Sequence, residues 1–463
     1  MDNRISLNLT GIDTDKIIEQ LMNIEKVPLQ RLQTQRTLQS SRKSAWDAVV
    51  SKVKSLTSNL YALTRSDLFG KMVASSSDSS VLTASVTGSA VEGTYDLVVT
   101  SLAKSQSVAT GAFSSSGDPV GITGSVTLNG KAIDIASTDS LQSIAAKINS
   151  TADVNARATV LQTGANEFKM VITSSVSGLS GAMTFGGDTD TWKTLGVMNP
   201  DDTLNEVVAA SDASFTINGV GFTRSSNSVT DAIPGVTLNL LKAADALSGT
   251  GGRTVISVGP DDQAVIDAVK SFVTEYNGLI DTVSKYTTWN PTTRQSGPLF
   301  GDPLVNSLLS ELRTAVFQRV IGASSSYSSL SSVGISTGSQ SAFSRDGKLT
   351  LDETKLKTAL QTDREAVAVL FGAKTVEENQ GIFKRVSDIL DKYGSSGGFI
   401  SLRQAQIASE DKYLSQRIED MQARLDRRMA ALRNRFTQME VALQKLNSQS
   451  AWLSQQLQSF TTE

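Results

Sequence analysis

The sequence predicts an α+β multidomain protein, with terminal helices forming a coiled-coil or helical-bundle stalk and two β-rich domains inserted between them. Three observations point there. Residues 13–64 and all residues after Gly398 are free of glycine and place apolar residues at helical steps. Residues 71–261 break into short alternating runs separated by Ser, Gly, Asn and Asp, and within them one hairpin pattern occurs twice.

The first helical segment opens at DTDK, where Asp13 or Thr14 can cap and Asp15 complements the helix dipole. Ile17, Leu21 and Ile24 lie at steps of four and three and are read as one seam. Pro28 removes a backbone donor, so a break is expected just before it. Beyond it Trp46, Val49, Val53, Leu56, Leu60 and Leu63 alternate steps of three and four along one helix face. The β region comes next, with TYDLVVTSL, GSVTLNG, ARATVLQT and FKMVITSS as strands. SVTLNGKAIDIASTDSLQSI, from Ser125, resembles SFTINGVGFTRSSNSVTDAI, from Ser214. Each sets Asn-Gly (Asn129-Gly130, Asn218-Gly219) between alternating strands, the pattern of a two-residue type I′ hairpin, and each is expected to continue into a short helix opening at Ser. Asp346-Gly347 predicts a third hairpin.

Helical periodicity returns after Asp262 and again after Asp302. Past Gly398, Leu414, Ile418, Met421, Leu425, Met429, Leu432, Phe436, Met439, Leu443, Leu446, Leu453, Leu457 and Phe460 follow a heptad seam with one stutter at 425–429. A helix of about 60 residues is roughly 90 Å long. The two terminal seams are expected to pair and bring the chain ends together. Its last stretch, VALQKLNSQSAWLSQQLQSF (441–460), carries one charge, Lys445, and its polar positions are Gln, Ser and Asn. A helix whose outer face faced only water would carry Lys and Glu there, so this stretch calls for another partner.

Composition narrows the chemistry. The chain has 463 residues, no Cys and no His, which leaves no Cys/His zinc site, thiol nucleophile, Ser-His-Asp triad or imidazole acid–base group. No P-loop is present, since Gly130-Lys131 is followed by Ala132. Asp188 and Asp190 lack the further ligands of a calcium loop. No enzyme, cofactor or metal is therefore expected. The formal net charge of -3 argues against nucleic acid, and the basic run RLDRRMAALRNR (424–435) is read as a solvated helix face. No run of about 18 apolar residues exists to span a membrane, and the opening residues lack the pattern of a secretory signal. The absence of thiols suits a chain threaded unfolded through a narrow secretion channel.

Several stretches in this order resemble the flagellar hook-associated protein 2 family of filament capping proteins: TGIDTDKIIEQLMNIEKVPLQRLQ (10–33), GTYDLVVTSLAKSQSVAT (93–110), GPLFGDPLVNSLLSELR (297–313), LSSVGISTGSQSAFSRDGKLTLDETKLKTAL (330–360) and RFTQMEVALQKLNSQSAWLSQQL (435–457). One departure is the start, LNLTG, with a single glycine, Gly11. The resemblance implies a secreted protein, exported by the flagellar type III route to the distal filament tip. There it would form a homo-oligomeric ring, a pentamer or hexamer, that promotes folding and polymerisation of exported flagellin. It further implies contact with hook–filament junction proteins, a cytoplasmic export chaperone bound through the C-terminal helix, and host mucin glycans as a surface ligand. Two alternatives are another flagellar axial protein, of the hook–filament junction, and a surface adhesin. The expected domains are 1–40 with 401–463 (terminal coiled coil), 41–70 with 262–400 (helical bundle with a hairpin), 71–105 with 208–261 (β domain) and 106–207 (inserted second β domain). The residues expected at coiled-coil or partner interfaces are Ile17, Leu21, Ile24, Trp46, Val49, Val53, Leu56, Leu60, Leu425, Leu432, Phe436, Met439, Leu443, Leu446, Trp452, Leu453 and Leu457.

Overall fold

The computed structural model describes residues 13–244, 252–321, 326–337, 347–374 and 380–460. In chain order its helices are α1 (Thr14–Glu25), α2 (Val27–Leu63), α3 (Ser66–Gly70), α4 (Leu141–Ser150), α5 (Thr189–Thr194), α6 (Asp262–Thr287), α7 (Pro303–Phe317), α8 (Glu353–Phe371), α9 (Ile382–Gly394) and α10 (Phe399–Phe460). The chain divides into two units, a helical one of Met1–Phe69 with Asp262–Glu463 and a β-rich one of Gly70–Asp261.

In the helical unit Asp13 caps α1, its Oδ1 accepting from the Lys16 N–H at 3.0 Å. The break before Pro28 is present as a joint at Lys26, and Pro28 sits in the first turn of α2, where its missing N–H would have had no partner in any case. Trp46, Val49, Val53, Leu56, Leu60 and Leu63 are all buried, in one cluster with Phe272 and Tyr276 of α6 and Phe383 of α9. Phe383 ties this core together, with ring centroids 4.5 Å from Phe272 and 4.6 Å from Phe371. Ile335–Ser336 pairs antiparallel with Thr350–Leu351, and Asn277 of α6 clamps this ribbon by donating to Leu349 O and accepting from the Leu349 N–H. Of the expected Asp346-Gly347 turn, Asp346 lies outside the described residues; Gly347 has φ of 74°.

The β-rich unit holds two cores. The first lies between a five-stranded antiparallel sheet, ordered Met72–Ser76, Arg253–Pro260, Gly93–Ser101, Ala213–Ile217, Val220–Arg224, and a three-stranded sheet of Ser228–Ile233, Val236–Leu240 and Leu82–Val86. Leu82, Leu97, Val99, Phe215, Leu238 and Ile256 fill it. Neighbours Gly93–Ser101 and Ala213–Ile217 are separated in sequence by the whole second core, Val108 to Met198, which α4 and Trp192 of α5 complete. Both Asn-Gly pairs turn two-residue hairpins with positive φ at both positions: 51° and 75° at Asn129-Gly130, 51° and 82° at Asn218-Gly219.

The helix expected after each hairpin forms in the first repeat alone. Ser140 caps α4 through a reciprocal box with Ser143, and Leu141, Ile144, Ala145 and Ile148 give it a buried face. In the second repeat the corresponding residues, Ser228–Ile233, are a strand. Pro234 biases the residue before it away from helix, Gly235 turns the chain at φ of 72°, and Val236–Leu240 then pairs back as a ready neighbour.

Two side chains make the energetics testable. Asp139 is held below the usual carboxylate range, first by Lys147, then by the Ala136 N–H, with the Ser143 hydroxyl adding to outweigh burial. A depressed folded-state value stabilises above the unfolded value and is lost as pH falls through the folded one. Asp139→Asn should therefore cost about 1–3 kcal/mol at pH 7. That cost should shrink in melts recorded below about pH 4. Tyr276 is buried with its hydroxyl unpartnered among the described residues, and burial pushes its phenol up to about 12. Tyr276→Phe should accordingly leave the thermal midpoint unchanged or raise it, by about 1 kcal/mol at most.

Candidate functional site

α10 is 62 residues long, and its partners along its length are α9, then α2, then α1. Polar ties along the pairing fix the register. The Gln404 amide donates to Asp47 Oδ1 at 2.6 Å, Arg36 pairs with Asp411 at 3.2 Å, Arg428 with Glu25 at 3.0 Å, and the Thr14 hydroxyl donates to Glu440 Oε1 at 2.7 Å. As one number falls the other rises, so the pairing is antiparallel. These ties are solvent-exposed or nearly so and contribute at most about 1 kcal/mol each, so they mark register more than they supply stability.

The stability comes from two apolar stretches with a polar one between them. At the inner end Ile400 and Ile407 of α10 join the core that holds Trp46 and Val49. Toward the termini Ile18, Met22 and Leu425 form a small buried cluster, flanked by half-buried Leu29, Met421, Met429, Leu432 and Phe436. Between these lies a polar cleft of about 800 Å³, lined by Gln33, Thr37, Ser40, Asp411, Ser415 and Gln422 among others. Gln39 beside it donates to Glu410, while its buried Oε1 has no partner among the described residues. Ile418 of α10 is buried beside this cleft.

Ile17, Leu21 and Ile24, read from their spacing as one seam, do not face α10. The residues facing α10 are Ile18 and Met22, whereas Ile17 and Leu21 are exposed and Ile24 is 72% exposed. The physical reason is that α1 is apolar on two adjacent faces. Positions 17, 21, 24 and 18, 22 both satisfy helical spacing, and periodicity does not say which will meet Leu425. Ile18 and Met22 were therefore missed; their own spacing is the signal that could have found them.

On α10 burial fades toward the end. Leu425 is buried, Leu432, Phe436 and Leu443 are half-buried, and Met439 is exposed. Past Glu440, where the tie to Thr14 lies, Leu446 is 59% and Trp452 62% exposed, and Leu453 and Leu457 are exposed too. The side chain of Phe460 lies outside the described residues. Trp46, Val49, Val53, Leu56 and Leu60 sit instead inside the helical core, where they hold α2 to α6 and α9.

Away from these helices, Asp188 stands at the start of α5 and accepts from the Thr191 hydroxyl at 2.9 Å. Among the described residues no cluster of three or more potential metal ligands occurs, and no helix is long and apolar enough to cross a membrane. In the basic run, Arg428 is engaged by Glu25 and Arg427 donates to the Ala423 carbonyl of its own helix.

Known proteins resemble this chain in sequence and, over much of its length, in fold. A family model described as the C-terminus of flagellar hook-associated protein 2 matches residues 210–448, and one described as its N-terminus matches residues 10–106. The chain belongs to the flagellar hook-associated protein 2 family. Flagellar hook-associated protein 2 of Escherichia coli K12 is 28% identical over 97% of both chains, and the A-type protein of Pseudomonas aeruginosa is 28% identical over 97% of this chain and 96% of its own. A crystal structure of the D1, D2 and D3 domains of the flagellar cap protein FliD from Escherichia coli superposes with a TM-score of 0.56 at 29% identity, covering 79% of this chain and 99% of that one. The family is one of structural proteins rather than enzymes.

The two faces of α1 separate by mutation. Met22→Ala removes a buried side chain and should cost about 2–4 kcal/mol, read as faster hydrogen exchange throughout α1. Ile24→Ala should leave that exchange unchanged. Equal loss of protection in both variants would place Ile24 in the buried seam.

Proposed function

We propose that this protein is the structural cap at the distal tip of the bacterial flagellar filament, a homo-oligomeric ring, five- or six-membered, that promotes folding and polymerisation of exported flagellin. The observation that carries this reading, in a member of this family, is the pair of apolar surfaces left outside on the terminal helices. Ile17, Leu21 and Ile24 on α1, and Leu446, Trp452 and Leu453 on α10, are exposed at steps a partner helix or groove can read. Gln and Ser between them can hydrogen-bond to a polar neighbour without the desolvation cost of a buried Lys or Glu. The partners of this surface are other flagellar subunits at the filament tip, junction proteins among them. Before export by the flagellar type III route it binds a cytoplasmic chaperone.

A chain truncated after Leu443 should keep both β cores folded, yet lose chaperone binding and fail to support filament growth in a deletion strain, which would release unpolymerised flagellin into the medium. A truncated protein that still caps growing filaments overturns the assignment of this surface, and a deletion strain with intact filaments overturns the cap reading itself. Because no Cys or His is present, the ring should survive reductant and chelator unchanged by light scattering or negative-stain imaging.

A further inference from the structure

Three Asn-Gly pairs occur in the chain, Asn129-Gly130, Asn218-Gly219 and Asn277-Gly278. With no side chain on the glycine, its backbone nitrogen reaches the asparagine amide carbon with least hindrance. The three asparagines are held differently. Asn277 lies within α6, and its amide is engaged at both ends by Leu349, donating at 2.8 Å and accepting at 2.7 Å. Asn129 is engaged at both ends as well, donating to Val154 O at 2.8 Å and accepting from the Thr184 N–H at 2.9 Å. Asn218 is exposed. Its Oδ1 accepts from the Asp96 N–H at 2.9 Å, while its NH2 group has no partner among the described residues. Gly219 and Gly130 are both open, with nothing within 4 Å of where a side chain would start, so access to the glycine does not separate the two hairpins.

We infer that Asn218 is a site of spontaneous conversion to aspartate and isoaspartate, and that the fold protects Asn129 and Asn277 from the same reaction. The Gly219 nitrogen gives up its proton to solvent base and attacks Cγ of Asn218, forming a five-membered imide. The Cγ–Nδ2 bond breaks, and Nδ2 takes up a proton and leaves as ammonia. Water then opens the imide at either carbonyl, so one ammonia is lost and one water gained, with no change of oxidation state. The Asp96 N–H points at the oxygen on which negative charge develops as Cγ becomes tetrahedral, and so favours attack. At Asn129 and Asn277 the leaving amide must first give up a hydrogen bond to a carbonyl. Backbone strain does not distinguish the two hairpins, since Asn129 and Asn218 share φ of 51°.

The product sets a new carboxylate beside Asp96, whose own carboxylate is paired with Arg253 at 2.9 Å. In the isoaspartate form it also adds a methylene to the main chain of a two-residue turn. The strand Val220–Arg224, at the edge of the five-stranded sheet, would lose register with Ala213–Ile217.

Trypsin places the three asparagines in separate peptides, 105–131, 194–224 and 271–285. In the purified, folded, full-length protein kept at mildly alkaline pH, peptide 194–224 should gain the amide-to-acid mass about tenfold faster than the other two, the factor set by one hydrogen bond of ordinary strength. Fragment ions should place the gain on Asn218, and Asn218→Gln should abolish it. In urea all three should convert at comparable rates. Folded protein in which 105–131 or 271–285 converts as fast as 194–224, or a ranking that persists unchanged in urea, would overturn the inference.

Discussion

The helical unit depends on one interaction, the antiparallel packing of α10 against α2 and α1. A 62-residue helix at 1.5 Å per residue is about 93 Å long, and an apolar seam of that length is not stable in water without a partner. Residues from near both ends of the described chain meet in this pairing, at Thr14 with Glu440. Everything between them in sequence must therefore be accommodated as an excursion from one layer of helices, and the insertion of Gly70–Asp261 between α3 and α6 is such an excursion. Trp46 and Phe383 anchor the inner end of that layer, where burial is complete.

Outward from this anchor the packing weakens in steps, and each step has a chemical cause. The polar cleft around Gln33 and Ser415 interrupts the seam because α2 there reads QTQRTLQSSRK, with Leu38 as its one large apolar residue, and that residue exposed. The Ile18–Met22–Leu425 cluster restores apolar contact but holds only three buried side chains among the described residues. Past Glu440 the large apolar residues Leu446, Trp452, Leu453 and Leu457 of α10 are exposed. A graded helix pair of this kind has a rigid root and a tip with binding capacity left over, and local stability falls in the same direction. On the function proposed above, such a tip would meet its partners through apolar side chains at helical spacing rather than through fixed charge pairs.

The β-rich unit solves a different problem. Its two cores are each closed by hairpins whose Asn-Gly turns supply the left-handed backbone that a twisted ribbon needs, and the asparagine side chains then reach beyond the turn: Asn129 to Val154 and Thr184, Asn218 to Asp96. One residue type thus serves both turn and clamp. Beyond the turn the two repeats diverge, into a capped amphipathic helix in one and a proline-terminated strand in the other.

Much was legible in the residues alone. The α2 seam, the break at Pro28, both type I′ hairpins and the long final helix all derive from local rules, because spacing, missing donors and positive-φ turns act within a few residues of sequence. The family resemblance was legible too, carried by ordered stretches from the opening helix to the last. What local rules left open was every choice between two surfaces of similar chemistry. Ile17 and Ile18 are equally apolar and adjacent, and which one is buried depends on where Leu425 lies, more than 400 residues away in sequence. Ser228–Ile233 pairs with Val236–Leu240, which in turn pairs with Leu82–Val86 far earlier in the chain, and that second pairing is a fact that no window around those residues contains. Periodicity names the faces of an element; only the packing of distant elements assigns one face to the core and leaves the other for a partner.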